Sequence, residues 1–225
     1  MHTKLSLFCE KLIEAGWLAA VVLVPVYFNI YSARTFEPDK ITLMRSIALV
    51  MVLAWLIKVA EVGLGRATSV AEHSSQSNDI PAQSTKQASA SPSPARRVWR
   101  RLTGIPLFLP TALVVCAYLV STALSISPLV SLWGSYQRLQ GTYSALSYIV
   151  IFALVASHLR SQAQLDRLMT TVIITSLPVG LYGIIQHYGR DPLPWAGDVQ
   201  TRVASSMGNA IFVASYLIMA IPPTL

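Results

Sequence analysis

The sequence contains little charge for its length. Of its 225 residues, 12% are Asp, Glu, Lys or Arg and 53% are hydrophobic, whereas roughly 25% of a soluble protein is charged. Four stretches contain no charged residue at all: 105–126, 141–157, 168–186 and 203–225. A helix needs roughly 20 apolar residues to cross a bilayer, and a soluble domain could not bury so many such stretches. We therefore predict an all-α integral membrane protein.

Cysteine and recognisable catalytic motifs are also scarce. The two cysteines, Cys9 and Cys116, fall beside or within apolar segments, so we interpret them as core residues rather than a disulfide or a metal pair. The chain contains no glycine-rich phosphate loop, no cluster with metal-ligand spacing and no nucleophile elbow. The sequence thus predicts no metal and no cofactor, and it leaves the catalytic residues unknown.

The apolar pattern predicts six transmembrane helices. Their approximate bounds are 12–31, 40–62, 105–126, 139–158, 168–187 and from 207 onward. In the second helix only residues 46–57 are uncharged, so Arg45 and Lys58 are expected to extend their aliphatic stems toward the two membrane surfaces. Trp17 and Tyr27 are expected at the membrane–water interfaces, where such rings are common.

The composition divides the chain into three parts. Residues 1–62 hold the first two helices, and residues 102–225 hold the other four with two short extracytoplasmic loops. Residues 63–101 are rich in Ser, Gln and Pro and end in Arg96-Arg97 and Arg100-Arg101. Such a segment has too few apolar residues to form a core, and basic residues beside a helix favour the cytoplasmic face. We predict a disordered basic cytoplasmic loop there.

The distribution of positive charge predicts that the N-terminus is cytoplasmic. With that orientation, six of the 17 Lys and Arg residues lie outside, namely Arg34, Lys40, Arg45, Arg138, Arg190 and Arg202, and the other eleven lie inside. Cytoplasmic segments carry the excess of Lys and Arg in membrane proteins. The net charge of +7 is explained in this way, so we expect no nucleic-acid partner. The chain stops within its sixth apolar stretch, and we expect it to be a fragment of a larger polytopic bundle.

The two predicted outer loops combine aromatic residues with arginine. Residues 127–140 include Trp133, Tyr136 and Arg138, and residues 188–209 include Arg190 and Arg202. The planar guanidinium fork matches phosphate oxygens, while aromatic rings offer flat apolar surface to a sugar ring. A lipid-linked sugar phosphate would suit this combination. The alternative is an ordinary interfacial belt, in which the same residues only contact lipid headgroups.

Several short motifs together resemble those of a known family. They are the run Ser-Pro-Leu-Val-Ser-Leu-Trp-Gly-Ser-Tyr-Gln-Arg at 127–138, the Gly-Thr-Tyr that follows at 141–143, the Phe-Glu-Pro-Asp-Lys at 36–40, and the Arg-Val-Ala-Ser-Ser-Met-Gly-Asn at 202–209. In this order they resemble the O-antigen ligase and polymerase superfamily. Ala210 and Ile211 stand where that family usually has Pro and Asn.

The resemblance implies a function at the outer face of the bacterial inner membrane. Members of the family are multi-pass glycosyltransferases that move a glycan from an undecaprenyl diphosphate carrier to an acceptor, without metal or nucleotide sugar. Their principal catalytic Arg and His lie beyond the part matched here, so this chain would be the N-terminal half and would contribute substrate binding. The residues implied are Arg202 first, then Arg138 and Arg190, with Asn209, Trp133 and Tyr136. The partners implied are the lipid-linked glycan donor and membrane lipids.

Two other functions stay open at the level of sequence. One is half of a membrane transporter or flippase, which predicts discontinuous helices and polar groups near the middle of the bilayer. The other is a non-catalytic membrane scaffold, in which the arginines of the outer loops would be dispensable. Whether a ligase or a polymerase is involved, and which glycan and acceptor it uses, does not follow from the residues.

Overall fold

The computed structural model describes residues 4–29, 31, 36–76, 107–193, 195 and 197–224. In this part of the chain all regular structure is helical, so the all-α prediction is confirmed there. The α-helices are α1 (Lys4–Val26), α2 (Glu37–Gln76), α3 (Phe108–Ala123), α4 (Pro128–Trp133), α5 (Thr142–His158), α6 (Gln162–His187) and α7 (Ala210–Ala220). Two single turns of 3-10 helix, Ser205–Met207 and Pro222–Thr224, precede and follow α7.

Among the described residues, two helices are long and apolar enough to cross a membrane: the Glu37–Glu61 part of α2, and α6. Most of each helix lies outside the protein core, and large apolar side chains such as Leu53, Leu177 and Leu181 are about half exposed. Helices α3 and α5 are apolar but shorter. The described helices therefore surround a small core and turn much of their apolar surface outward.

The helix bounds differ from the predicted ones in several places. Helix α6 begins at Gln162 rather than near residue 168, because Ser161 and Gln164 form a reciprocal capping box that supplies partners for free backbone groups. The six-residue α4 lies within the predicted outer loop at 127–140. Helix α2 continues to Gln76, where a loop is predicted from residue 63, and the rest of that predicted loop lies outside the described residues.

The core lies where α1 and α2 pack side by side against α5. It includes Cys9, Ile13 and Trp17 of α1, Met51 and Ala54 of α2, and Leu154 of α5. Gly16 allows the close approach, because a Cβ there would lie 2.5 Å from Cγ of Met51.

Two sequence predictions about side chains are wrong in the light of this packing. Trp17 is 2% exposed, so it fills the core instead of lying at a membrane interface. Cys116 is exposed on α3, and only Cys9 is a core residue. Both residues are of a type expected in an apolar helix. Which face of the helix is buried, however, depends on the neighbouring helices and not on the residue type.

Ion pairs and one hydrogen bond join four helices at one end of the bundle, which we call the charged end. Lys58 of α2 lies 2.8 Å from Glu10 of α1, and its Nζ is 3.4 Å from Nε2 of His158 at the end of α5. Arg167 of α6 donates to Glu14 of α1. Lys58 is therefore paired inside the protein, whereas the sequence predicted that it reaches out to the membrane surface.

Candidate functional site

The two predicted outer loops and the connection between α1 and α2 meet at the opposite end of the bundle, which we call the loop end. Phe36 and Glu37, at the start of α2, are contacted from both loops. Nε of Arg138 lies 3.8 Å from a carboxylate oxygen of Glu37. The ring of Trp195 stacks on Phe36 with 5.3 Å between centroids. The structure thus brings both loops against the same two residues, which the sequence did not predict.

Four aromatic rings form a continuous stack at the loop end. Tyr182 of α6 lies on Phe28, Phe28 on Phe36, and Phe36 on Trp195, with centroid distances of 5.7, 5.9 and 5.3 Å. The interplanar angles are 18–20°, so the rings are stacked rather than edge-on. Gly208 makes this stack possible, because a Cβ there would lie 2.4 Å from the ring of Phe36.

The carboxylate of Asp191 binds both ends of this stack. Its Oδ2 accepts hydrogen bonds from the Tyr182 hydroxyl at 2.8 Å, the Trp195 indole at 2.7 Å and the Gln186 amide at 3.1 Å, and its Oδ1 accepts one from the backbone of Leu193 at 3.0 Å. Burial raises the pKa of this carboxyl, but the four hydrogen bonds outweigh burial and hold the pKa of Asp191 below its ordinary value. The group is therefore a charged organising centre and has little capacity left to act as a base.

Gln186 links this centre to the segment before α7. It is fully buried, and its Oε1 accepts a 2.6 Å hydrogen bond from the backbone N–H of Ser205. The hydroxyl of Ser205 in turn donates to the carbonyl of Val179, and that of Ser206 donates to the carbonyl of Pro25. Buried polar groups need such partners. The segment that follows Arg202 is consequently fixed to α1 and α6.

A depression of about 260 Å³ lies beside Asp191 and Trp195. It is lined by Gln186 of α6 and by the loop after α6, which includes Gly197 and Gln200. The side chain of Asp198 accepts hydrogen bonds from Gln200 and Thr201, and the Thr201 hydroxyl bond is the main cause that lowers the pKa of Asp198. The depression is thus polar, negatively charged and bordered by one aromatic ring.

The predicted binding residues occupy the surface around this centre. Arg190 and Arg202 are exposed, and neither guanidinium binds an acceptor within the part of the chain that the structure describes. Arg138 is exposed over 71% of its side chain despite its contact with Glu37. Trp133 and Tyr136 are 52% and 75% exposed.

Asn209 has a structural role that is visible in its hydrogen bond. It precedes α7, and its side chain accepts from the backbone N–H of Ile211 at 2.9 Å, which makes it the N-cap of that helix. Its side-chain oxygen is already used inside the protein. A direct contact with a ligand is therefore less well supported for Asn209 than for the arginines.

Arg45 is one of the residues at the loop end whose role the sequence interpretation missed. The side chain was expected to reach out to the membrane surface, but only 8% of the residue is exposed. Its guanidinium donates to the carbonyls of Trp133 and Leu139 and to the hydroxyl of Ser144. A charge within an apolar helix generally faces the protein interior and has a function, and that rule was the signal available in the sequence.

Neither a metal centre nor a match to a known protein assigns a function to this site. Within the described residues no three His, Cys, Asp or Glu side chains group closely enough to hold a metal ion. Comparisons with protein-family models, with curated proteins and with solved structures found no match for the chain.

Proposed function

We propose that this chain is a multi-pass protein of the bacterial inner membrane that binds an undecaprenyl-diphosphate-linked glycan at its loop end, as part of a glycan ligase of the O-antigen ligase type. The observation that carries the proposal is the convergence of both arginine-containing loops on Phe36 and Glu37. Exposed arginines and exposed aromatic rings then share one end of a bundle whose outer surface is apolar. A lipid that carries phosphate and sugar combines these three chemistries in one molecule.

Arg202 is the residue that we assign to the diphosphate. Its guanidinium is exposed and has no described acceptor, and it lies just before the buried Ser205 and Ser206. The backbone there is therefore anchored while the charge remains available. The start of α7 adds the positive end of a helix dipole on the same segment, although the N–H groups of Ile211, Phe212 and Val213 are already bonded to Asn209. Arg190 and Arg138 supply further positive charge on the two loops.

The depression beside Trp195 is assigned to a sugar ring of the same ligand. It is lined by Asp191, Asp198 and Gln200. Carboxylate and amide groups bind hydroxyls well, and the two carboxylates repel phosphate. The edge of Trp195 adds apolar surface of the kind that sugars contact. The arginines would bind the phosphates of the ligand, and the carboxylates of the depression would bind the hydroxyls of its sugar.

The position of the buried polar groups favours a site at the membrane surface over a transport pathway. Gln186 lies in the last turn of α6, and it bonds Ser205 and Asp191 at the loop end. A transporter would hold its substrate near the middle of the bilayer, between broken helices. The polar network therefore supports the glycan-ligase type of function and not the transporter alternative.

Binding of the carrier lipid tests the proposal directly. We would titrate the purified chain in nanodiscs with undecaprenyl diphosphate and with undecaprenol, which has the same tail and no phosphate. Arg202→Ala should weaken the diphosphate about tenfold or more, because a charge-assisted hydrogen bond contributes about 1.5–3 kcal/mol. Arg202→Lys should lose less, because it keeps the charge without the fork.

Arg160 offers a matched control, since it is an exposed arginine at the charged end. Arg160→Ala should leave the affinity unchanged. If Arg202→Ala binds undecaprenyl diphosphate as tightly as the parent, or if undecaprenol binds equally well, the assignment to a lipid diphosphate is wrong and the arginines are interfacial anchors.

A further inference from the structure

Residues 134–141 form a loop that is closed at its base and exposed at its tip. Gly134 and Gly141 touch through their backbones, because a Cβ on Gly141 would lie 2.3 Å from N of Gly134. Tyr136 and Arg138, in the middle of the loop, are largely exposed. Leu139 has a φ of +53°, a left-handed conformation that costs an ordinary residue about 1–2 kcal/mol. This 134–141 loop therefore has a specific and strained shape.

The guanidinium of Arg45 lies under the loop and binds both of its ends. Its Nη2 donates to the carbonyl of Trp133 at 2.8 Å and to the carbonyl of Leu139 at 2.6 Å. Nη2 and Nε also donate to Oγ of Ser144, and that hydroxyl donates to the carbonyl of Leu139. The guanidinium lies 4.7 Å from the ring centre of Tyr143. One side chain of α2 thus connects α4, the loop and the start of α5.

Burying this cation requires a compensating gain. Arg45 takes part in none of the ion pairs in the described part of the chain, which are Lys58–Glu10, Arg138–Glu37 and Arg167–Glu14. A buried charge without an opposite charge is costly, and an apolar residue would pack the same space at lower cost. Strained backbone, in turn, persists only where the surroundings enforce it, and it concentrates at functional sites. The buried cation and the strained residue occur here in direct contact.

We propose that Arg45 is a positioning residue that holds the 134–141 loop in one preformed shape, so that Tyr136 and Arg138 are presented to the phosphate of a lipid-linked ligand. A loop ordered in advance loses less conformational entropy when it binds. Tyr136 and Arg138 then act as a unit whose affinity depends on a residue that never touches the ligand. We call these contacts between Arg45 and the loop the clamp. The clamp does not depend on the function proposed above, whereas the identity of the ligand rests on that proposed function.

The order of the loop can be measured without any ligand. We would place a spin label at Gln137, in a background with Cys9→Ala and Cys116→Ser, and record its mobility by electron paramagnetic resonance. Arg45→Gln and Arg45→Lys should both increase the mobility, because the glutamine amide has only two N–H donors for three acceptors and the lysine side chain is too short to reach the position of Nη2. A label at Gln162, which is exposed at the charged end, should not change. Circular dichroism identifies a variant that has lost its helices. Ser144→Ala removes only one of the acceptors of Arg45 and should increase the mobility less.

The contribution to binding is tested by a double-mutant cycle with undecaprenyl diphosphate. Arg45→Lys should weaken binding about fivefold to tenfold in the parent and should weaken it much less once Arg138→Ala is present, because the loop has then lost one of the two groups that it presents. Arg167→Lys, in an ion pair at the charged end, should not affect the affinity.

The outcomes separate the clamp from the ligand. An unchanged mobility at Gln137 in a folded Arg45→Gln variant overturns the clamp. Additive losses for Arg45→Lys and Arg138→Ala overturn the role of the loop in recognition. If the parent does not bind undecaprenyl diphosphate at all, the proposed function and the ligand assigned to this loop both fall, and the mobility measurement still decides whether Arg45 orders the loop.

Discussion

Tyr182 and Trp195 donate hydrogen bonds to the same carboxylate oxygen, Oδ2 of Asp191, at 2.8 and 2.7 Å. The two rings are also the first and last members of the four-ring stack that includes Phe28 and Phe36. The carboxylate therefore closes the stack into a ring of contacts. Helix α6, the loop after it and the connection between α1 and α2 are held together at this one point.

Asp191→Asn should destabilise the loop end more than an equally conservative change elsewhere. The amide has one acceptor oxygen instead of two, so its NH2 group would face either the N–H of Leu193 or the donors of Tyr182, Gln186 and Trp195. A buried polar group left unsatisfied costs about 1–3 kcal/mol, and the partly buried Asp191 should lose toward the lower end of that range. Chemical unfolding in detergent, followed by tryptophan fluorescence, measures the loss. Asp166→Asn, which alters an exposed helix-surface contact with Gln162, is the control, and an equal loss for both variants would contradict this account.

The stability of the loop end should decrease in acid because of the same carboxylate. The pKa of Asp191 is lower in the folded protein than its ordinary value of 3.8, so folding favours the ionised form. This stabilisation is fully present above the ordinary pKa and is lost as the pH falls through the lower pKa of the folded state. The free energy of unfolding measured between pH 6 and pH 2 should therefore decline less steeply in Asp191→Asn than in the parent. Parallel curves for the two proteins would show that Asp191 is not responsible.

Gly208→Ala should separate Phe36 from its neighbours in the stack. The residue has a φ of +75°, and a Cβ would lie 2.4 Å from the Phe36 ring. The left-handed backbone alone costs about 1–2 kcal/mol, and displacement of the ring adds to that cost. Thermal unfolding should show a clear decrease in Tm. Gly197→Ala makes the same chemical change where nothing lies within 4 Å, and it should leave the Tm unchanged. Similar values for both variants would mean that the stack contributes little.

The predicted orientation can be tested by cysteine labelling in intact cells, after replacement of Cys9 and Cys116. A cysteine at Gly197 should react with an impermeant reagent, because the charge distribution places the loop end outside the cytoplasm. A cysteine at Gln162, at the charged end, should react only after the membrane is permeabilised. Reaction at Gln162 in intact cells would reverse the predicted orientation.

Helical structure could be predicted from the sequence because it depends on local composition. Uncharged stretches gave the approximate positions of α3, α5 and α6. The sequence also predicted the connections between these helices, while their location outside the cytoplasm stays a prediction. The bounds were less accurate, since the start of α6 depends on the capping box of Ser161 and Gln164. These two residues act through a pair of hydrogen bonds, and a hydrophobicity pattern contains no information about them.

The organisation of the site could be predicted only in part. Arginines and aromatic residues were singled out from their chemistry alone, and the structure shows that those of the two loops are exposed, while their role in binding phosphate and sugar stays a prediction. The role of Asp191 was missed, because a single carboxylate next to a proline has no meaning until four donors from separate positions are known. Arg45 was misplaced for a similar reason. A long side chain near a helix end can reach either the membrane surface or a neighbouring loop, and tertiary packing decides between them.

The length of α3 has a consequence for the surrounding lipid. Its 16 residues measure about 24 Å along the axis, and the hydrocarbon layer of a bilayer is about 30 Å thick. None of the residues of α3 is buried, so in the membrane proposed here lipid chains would meet it directly. A bilayer adapts to a short helix by becoming thinner around it. The lipid headgroups around α3 would then lie closer to the neighbouring loop with Tyr136 and Arg138. The phosphates of a carrier lipid that diffuses toward this loop would reach the same depth as those two side chains.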